Sequence, residues 1–211
     1  MKKLLACILG VLMMLGVFVT PVSSEVEEVQ RIEIGGQKHV HLFLTAFYDM
    51  DYYKLLKATV DMKEGDCLKI TIMSSGGPAL PTLAMLNHIE SLKAKGIHIT
   101  TESAGAILSA GAMLWITGQI RIVHSSDAVM FHTVVVRGPY GPVKRDTLPK
   151  EGQWLMKQLD YYMRQYLLDI IHDTEKVNEL MNADGNKEGE TNENWYTGEE
   201  IFKMGIATEL Q

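Results

Sequence analysis

Apolar and polar residues alternate along His39–Leu44 (HVHLFL) and again along Leu68–Met73 (LKITIM), the period-two signature of strands. Between them the period changes: Tyr53, Leu56 and Val60 recur at helical spacing within Asp49–Met62, and Glu64-Gly65-Asp66 ends the run. Ser74-Ser75-Gly76-Gly77-Pro78 predicts a tight turn. Pro81 then suits the first turn of a helix with Leu83, Leu86, Ile89 and Leu92 on one face, stopped by Gly96. Ile97–Thr101 predicts the next strand, Ser103-Ala104-Gly105 a turn, and Ala106–Thr117 a helix of small and apolar residues ended by Gly118. Two further β arms, Ile120–Val123 and Ala128–Val136, flank a polar turn at Ser125-Ser126-Asp127. Strands and helices in this order imply right-handed βαβ units and a mostly parallel sheet covered by helices.

The flanks are simpler. Glu25–Gln37 is polar, with Gly35-Gly36 as a turn, and predicts a short edge hairpin. Arg137–Pro142 predicts an exposed loop, and Gln153–Asp173 a long helix with Met156, Leu159, Met163, Leu167 and Ile170 near one face. Asn182–Asn194 is polar and glycine-containing, hence a loop. Thr197, with Glu200 three residues on, forms the capping-box pattern of a short last helix. Neither a repeat nor a linker interrupts this pattern, which makes residues 25–211 one domain.

Composition adds a compartment. Lys2 and Lys3 precede an apolar run from Leu4 to Val19, and small residues follow at Val22-Ser23-Ser24: the three-part pattern of a secretory signal peptide over residues 1–24. The run is short for a spanning helix, so no membrane segment is expected after cleavage. An exported location, periplasmic or secreted, follows. Removing residues 1–24 takes away two lysines and no acid, moving the formal net charge from −6 to −8. Such an acidic domain does not suit nucleic acid or anionic lipid as its main partner. Only Cys67 is left after cleavage, which allows no internal disulfide and offers no zinc-ligand spacing.

The candidate chemistry centres on Ser109 and His132. A serine at a helix start lies near free backbone N–H groups that favour an alkoxide or oxyanion. Taken alone, each residue has a plain structural reading: a packing serine in a small-residue helix, and a core histidine on an apolar strand. Ser103, in the preceding turn, is a rival nucleophile. His39 and His41 share a strand face, which invites a metal, but no third ligand is near in sequence. The acids of Glu188–Glu193 lack calcium-loop spacing.

Three segments together resemble the Clp protease proteolytic subunit, the ClpP-like serine peptidases, with the likeness running from about His41 to Ala207. Ser74-Ser75-Gly76-Gly77 is similar to that family's strand-following Ser-Pro-Gly-Gly. Ser109-Ala110-Gly111-Ala112-Met113-Leu114, followed by Gly118, matches its nucleophile segment. Val129-Met130-Phe131-His132 matches the strand that ends in its catalytic histidine. A weaker fourth likeness is Trp195–Gly205, entered by Thr197. The resemblance implies an α/β, ClpP/crotonase-like fold with a mostly parallel sheet, flanking helices and a protruding handle helix, here Gln153–Asp173. It further implies a serine endopeptidase acting on peptides or unfolded proteins, with Ser109 as nucleophile, His132 as general base, and the N–H groups of Gly77 and Ala110 as the oxyanion hole.

For the third triad member the family has an aspartate, and the alignment places Glu193 there, with Asp173 and Asp146 as alternatives. No cofactor or metal is implied. A ring-shaped homo-oligomer is expected, whereas the leader argues against the family's ATPase partner. Two other readings stay open. One is a Ser–Lys hydrolase like the signal peptide peptidases, using Lys93, Lys95, Lys144 or Lys150. The other is a non-catalytic ring scaffold.

Overall fold

The computed structural model describes residues 29–45, 49–134, 136–138, 141–143, 145–181 and 194–211. The expected signal peptide, residues 1–24, lies outside them. In chain order the described elements are β1 (Val29–Ile34), β2 (Gln37–Leu44), α1 (Asp49–Thr59), β3 (Cys67–Ser74), α2 (Ala79–Ala94) and β4 (His98–Leu108). Then come α3 (Ala110–Trp115), β5 (Ile120–Val123), β6 (Ala128–Phe131), β7 (Val136–Gly138) and β8 (Gly141–Val143). The last are α4 (Lys150–Ile171), α5 (Thr174–Leu180), β9 (Asn194–Thr197), α6 (Gly198–Lys203) and β10 (Glu209–Leu210).

Eight strands form one sheet, ordered β1-β2-β3-β4-β5-β10, with β6 also against β4 and β9 against β6. The β2–β3, β3–β4, β4–β5, β4–β6 and β5–β10 pairings are parallel, as the alternation of strands and helices implies. The antiparallel exceptions are the β1–β2 hairpin, which turns at Gly35-Gly36, and β9 against β6. Val40, Leu42 and Leu44 of β2 join Leu68, Ile70 and Ile72 of β3 in the helix-covered core. Residues of the opposite parity carry a polar chain across the other face. There Thr71 Oγ1 donates to Glu102 Oε2 at 2.8 Å and, its proton so used, accepts from His41 Nε2 at 2.8 Å. Lys69 Nζ closes on the same carboxylate oxygen at 2.9 Å.

The structure departs from the sequence pattern in four places. In α1 the buried residues are Asp51, Leu55, Ala58 and Thr59, while Tyr53 and Val60, expected on the core face, are exposed. Both faces have helical spacing, and docking against α2 selects the one on which Thr59 Oγ1 meets Leu55 O and His88 Nε2, each at 2.8 Å. Second, Ser103-Ala104-Gly105 is no turn: β4 continues through it to Leu108, bending at Gly105, whose φ is +91°. Third, the helix expected from Ala106 therefore begins only at Ala110, and all six of its residues are buried, which explains a composition without an amphipathic stripe. Fourth, the arm expected over Ala128–Val136 stops as a strand at Phe131, and Val136–Gly138 pairs antiparallel with Gly141–Val143 where a loop was expected.

The long helix is as expected, one turn earlier: α4 buries Met156, Leu159, Asp160, Met163 and Leu167. Each apolar side chain so buried stabilises by about 1.5–3 kcal/mol. Polar contacts also join α4 to α2, Tyr162 to Asn87 at 3.1 Å and Tyr166 to Glu90, with Lys93 over the Tyr166 ring at 5.0 Å. The expected capping box at Thr197 and Glu200 is present. No helix among the described residues is long and apolar enough to cross a membrane.

Candidate active site

Two parallel strands end side by side, and each delivers one side chain. Leu108 at the end of β4 is in register with Met130 of β6, and Ser109 N donates to Met130 O at 3.0 Å. Ser109 is thus held between a strand and a helix, since Met113 N, in the first turn of α3, bonds back to Ser109 O at 3.0 Å. Its backbone is unusual, with φ +54° and ψ −117°. Among the described residues only His172 also has a positive φ without being glycine, and His172 sits in the ordinary left-handed well that closes a helix. The Ser109 conformation costs on the order of 1–3 kcal/mol and persists because the fully buried α3 and the Met130 bond over-determine it. A sharp strand-to-helix turn of this kind presents a serine hydroxyl clear of its own backbone.

His132 follows Phe131, the last residue of β6, and its Nε2 lies 2.7 Å from Ser109 Oγ. Both residues are half-buried, and His132 Nδ1 is shielded from solvent. This is hydrogen-bond distance for proton transfer from hydroxyl to imidazole.

The turn after β3 covers this pair. Ser74 Oγ accepts from Gly76 N at 3.1 Å and so bends the chain back. Gly76 has φ +108°, and a Cβ there would stand 3.0 Å from Ser109 Cβ and 3.3 Å from Ser109 Oγ. Glycine is required twice over, by the dihedral and by the approach. The sequence reading singled out Gly77 and missed Gly76; a Gly-Gly pair following a strand was the available signal.

A cavity of about 260 Å³ opens beside Ser109 and His132. One wall is Gly77, Pro78, Ala79, Thr82, Ala110 and Met113; the other is Val134 with Gly152, Leu155, Met156 and Leu159. Among the described residues no acid, lysine or arginine lines it. The helix expected as a handle thus supplies an apolar wall of the site, an outcome that periodicity alone did not reveal. Asp160, on the same helix and buried, accepts the Val134 N–H at 2.7 Å and so anchors the segment that leaves His132.

No family model matches this chain, and no curated protein does. Solved structures do. It is similar to the ClpP protease catalytic domain from Plasmodium falciparum, at 17% identity over 81% of this chain and 84% of that one, with a TM-score of 0.56. It is also similar to a peptidase from Plasmodium falciparum, at 8% identity over 81% of this chain and 94% of that one, with a TM-score of 0.60. The fold is ClpP-like.

Within that ClpP-like fold, Ser109, His132, Gly77 and Ala110 meet at one cavity. Glu193 lies outside the described residues. Its neighbour Asn194 pairs with Phe131, the residue before His132. Asp173 is occupied elsewhere: its carboxylate caps α5, accepting from Glu175 N at 3.0 Å and Lys176 N at 3.1 Å. Asp146 is exposed in a single 3-10 turn and does not line the cavity. Ser103 is fully buried and donates to Asp127, away from the cavity. His41 is engaged by Thr71, and burial, then the Lys69 ammonium, lower its pKa. Among the described residues no three His, Cys, Asp or Glu side chains converge to hold a metal ion.

Proposed function

We propose that this chain is a serine endopeptidase that hydrolyses peptides or unfolded proteins through an acyl-enzyme on Ser109. The observation carrying this reading is the 2.7 Å contact between Ser109 Oγ and His132 Nε2 beside a largely apolar cavity. His132 Nε2 takes the hydroxyl proton as Oγ attacks the substrate carbonyl. The carbonyl oxygen, now an anion, accepts from the N–H groups of Gly77 and Ala110; neither residue has a side chain large enough to block the approach, and the first N–H groups of a helix lack intrahelical partners. The imidazolium then gives its proton to the leaving amine, and water, deprotonated by His132, releases the acyl group. Glu193 is the third member, one residue before the strand that runs beside His132; a glutamate is one methylene longer than the usual aspartate, yet orients an imidazole equally through Nδ1–H.

The 2.7 Å contact of His132 with Ser109 favours histidine as base over a Ser–Lys pair; among the described residues no lysine lines the cavity, and Lys144 lies outside them. Export by the leader at residues 1–24 and assembly into a ring-shaped homo-oligomer belong to the same reading. Without an ATPase, substrates enter by diffusion, which favours short or unfolded chains.

Intact-mass measurement after treatment with a fluorophosphonate serine probe tests the reading. One adduct per wild-type chain is expected, with none on Ser109→Ala and labelling at least about 10³-fold slower on His132→Ala. A folded wild type that takes no label would overturn it and leave a non-catalytic scaffold.

A further inference from the structure

The geometry points to Asp127 as a positioning residue: its buried carboxylate sets the register between β4 and β6, and with it the contact of Ser109 with His132. The inference rests on the peptidase reading for the purpose of that contact, although the register is a matter of backbone geometry.

Along β4, Glu102 faces Ile122, but Ala106 faces Ala128. The three residues Ser103–Gly105 therefore span the same gap as five of the neighbouring chain, Val123–Asp127. The surplus is folded into a turn closed by Asp127 N donating to His124 O at 3.0 Å. Across this gap the regular ladder is interrupted, and backbone N–H groups need another acceptor. Asp127, 3% exposed, supplies it. Its Oδ1 accepts from Gly105 N at 2.9 Å; its Oδ2 accepts from His124 N at 3.0 Å and from the Ser103 hydroxyl. One carboxylate so ties the bend of β4 to the turn of its neighbour. Its backbone oxygen also accepts from Gly198 N at 2.9 Å, which joins the segment following β9 to the same point.

Everything downstream depends on this join. Ala106 to Leu108 pair with Ala128 to Met130, Ser109 N meets Met130 O, and His132 then emerges on the side of Ser109 Oγ. A slip of one residue would send His132 to the opposite face.

Asp127→Asn preserves size but replaces one acceptor oxygen by an amide –NH₂, which must oppose either His124 N–H or Gly105 N–H. The expected result is fluorophosphonate labelling about 100-fold slower per folded molecule, with His132→Ala costing only about tenfold more in that background instead of its full loss of about 10³-fold. Hydrogen exchange at the Ser109 amide, the donor to Met130 O, should accelerate while exchange in the β2–β3 core does not. Ser103→Ala removes one of the three donors and keeps the carboxylate; an intermediate loss, about tenfold, is expected, and this variant decides the matter if Asp127→Asn does not fold. A lower melting temperature with wild-type labelling per folded molecule, unchanged His132 dependence and unchanged Ser109 amide protection would overturn the inference. Lost Ser109 protection in a protein whose wild type never labels would leave the register role standing and remove the peptidase reading.

Discussion

The two halves of β4 face different demands. From His98 to Glu102 the strand lies in regular register between β3 and β5, apolar residues such as Ile99 in the core and Glu102 held by Lys69 and Thr71 on the other face. From Gly105 to Ser109 it bends, changes its neighbour to β6 and ends in a strained dihedral. The first half is held by its buried residues and by its pairing on both edges. The second half gives up some stability to aim one hydroxyl. A single strand can do both because the regular half anchors the bent one.

Three substitutions sharpen this contrast. The largest expected effect is at Gly76, which packs on the strained end. Gly76→Ala places a methyl 3.0 Å from Ser109 Cβ in a dihedral that L residues avoid, and displacement of the serine should slow probe labelling about 100-fold. Wild-type labelling would mean that the turn yields and the packing is not restrictive.

Next is the strain itself. At an ordinary extended or helical site glycine is less stable than alanine by up to about 1 kcal/mol. At residue 109 the order should reverse, Ser109→Gly exceeding Ser109→Ala by about 1 kcal/mol in urea unfolding, because only glycine accepts φ +54° with ψ −117° without penalty. The usual order would show that the strain is relieved in solution.

The smallest effect belongs to the regular half. Burial opposes ionisation of Glu102, but Lys69 and the Thr71 hydroxyl outweigh it and hold the carboxyl below its ordinary range. A carboxyl with a depressed folded-state pKa stabilises fully above its unfolded value of about 4.3 and loses that contribution as pH falls through the folded value. Glu102→Gln should therefore cost about 1 kcal/mol or less at pH 7, a partly exposed pair being screened by solvent, and the difference from wild type should close on acidification. A gap that persists at low pH would assign the loss to packing.

The regular elements were legible because local pattern and tertiary fate agree there. The alternations of β2 and β3, Pro81 in the first turn of α2 and the Thr197–Glu200 box of α6 all carry their own signal. Ser109, His132, Gly77 and Ala110 were legible as motif residues, and the structure brings them to one cavity. What stayed hidden depends on distant partners. Ser103-Ala104-Gly105 has the composition of a turn, and pairing with β3 at Ser103 together with the Asp127 carboxylate keeps it in the sheet. The buried face of α1 was chosen by α2 rather than by spacing. Gly76 and the α4 wall became visible only once β3 and α4 were folded against Ser109. The two residues of β10 are too short to leave a periodic trace.

The pairing of β6 with β9 joins positions more than sixty residues apart in sequence. A ribosome adding about 5–20 residues per second needs several seconds to travel that distance. Throughout that interval β6, which leads into His132, lacks its β9 neighbour, because that segment has not yet been made. On the proposed reading, Ser109 and His132 therefore stay without that flanking strand until β9 emerges, seconds after both residues have been made.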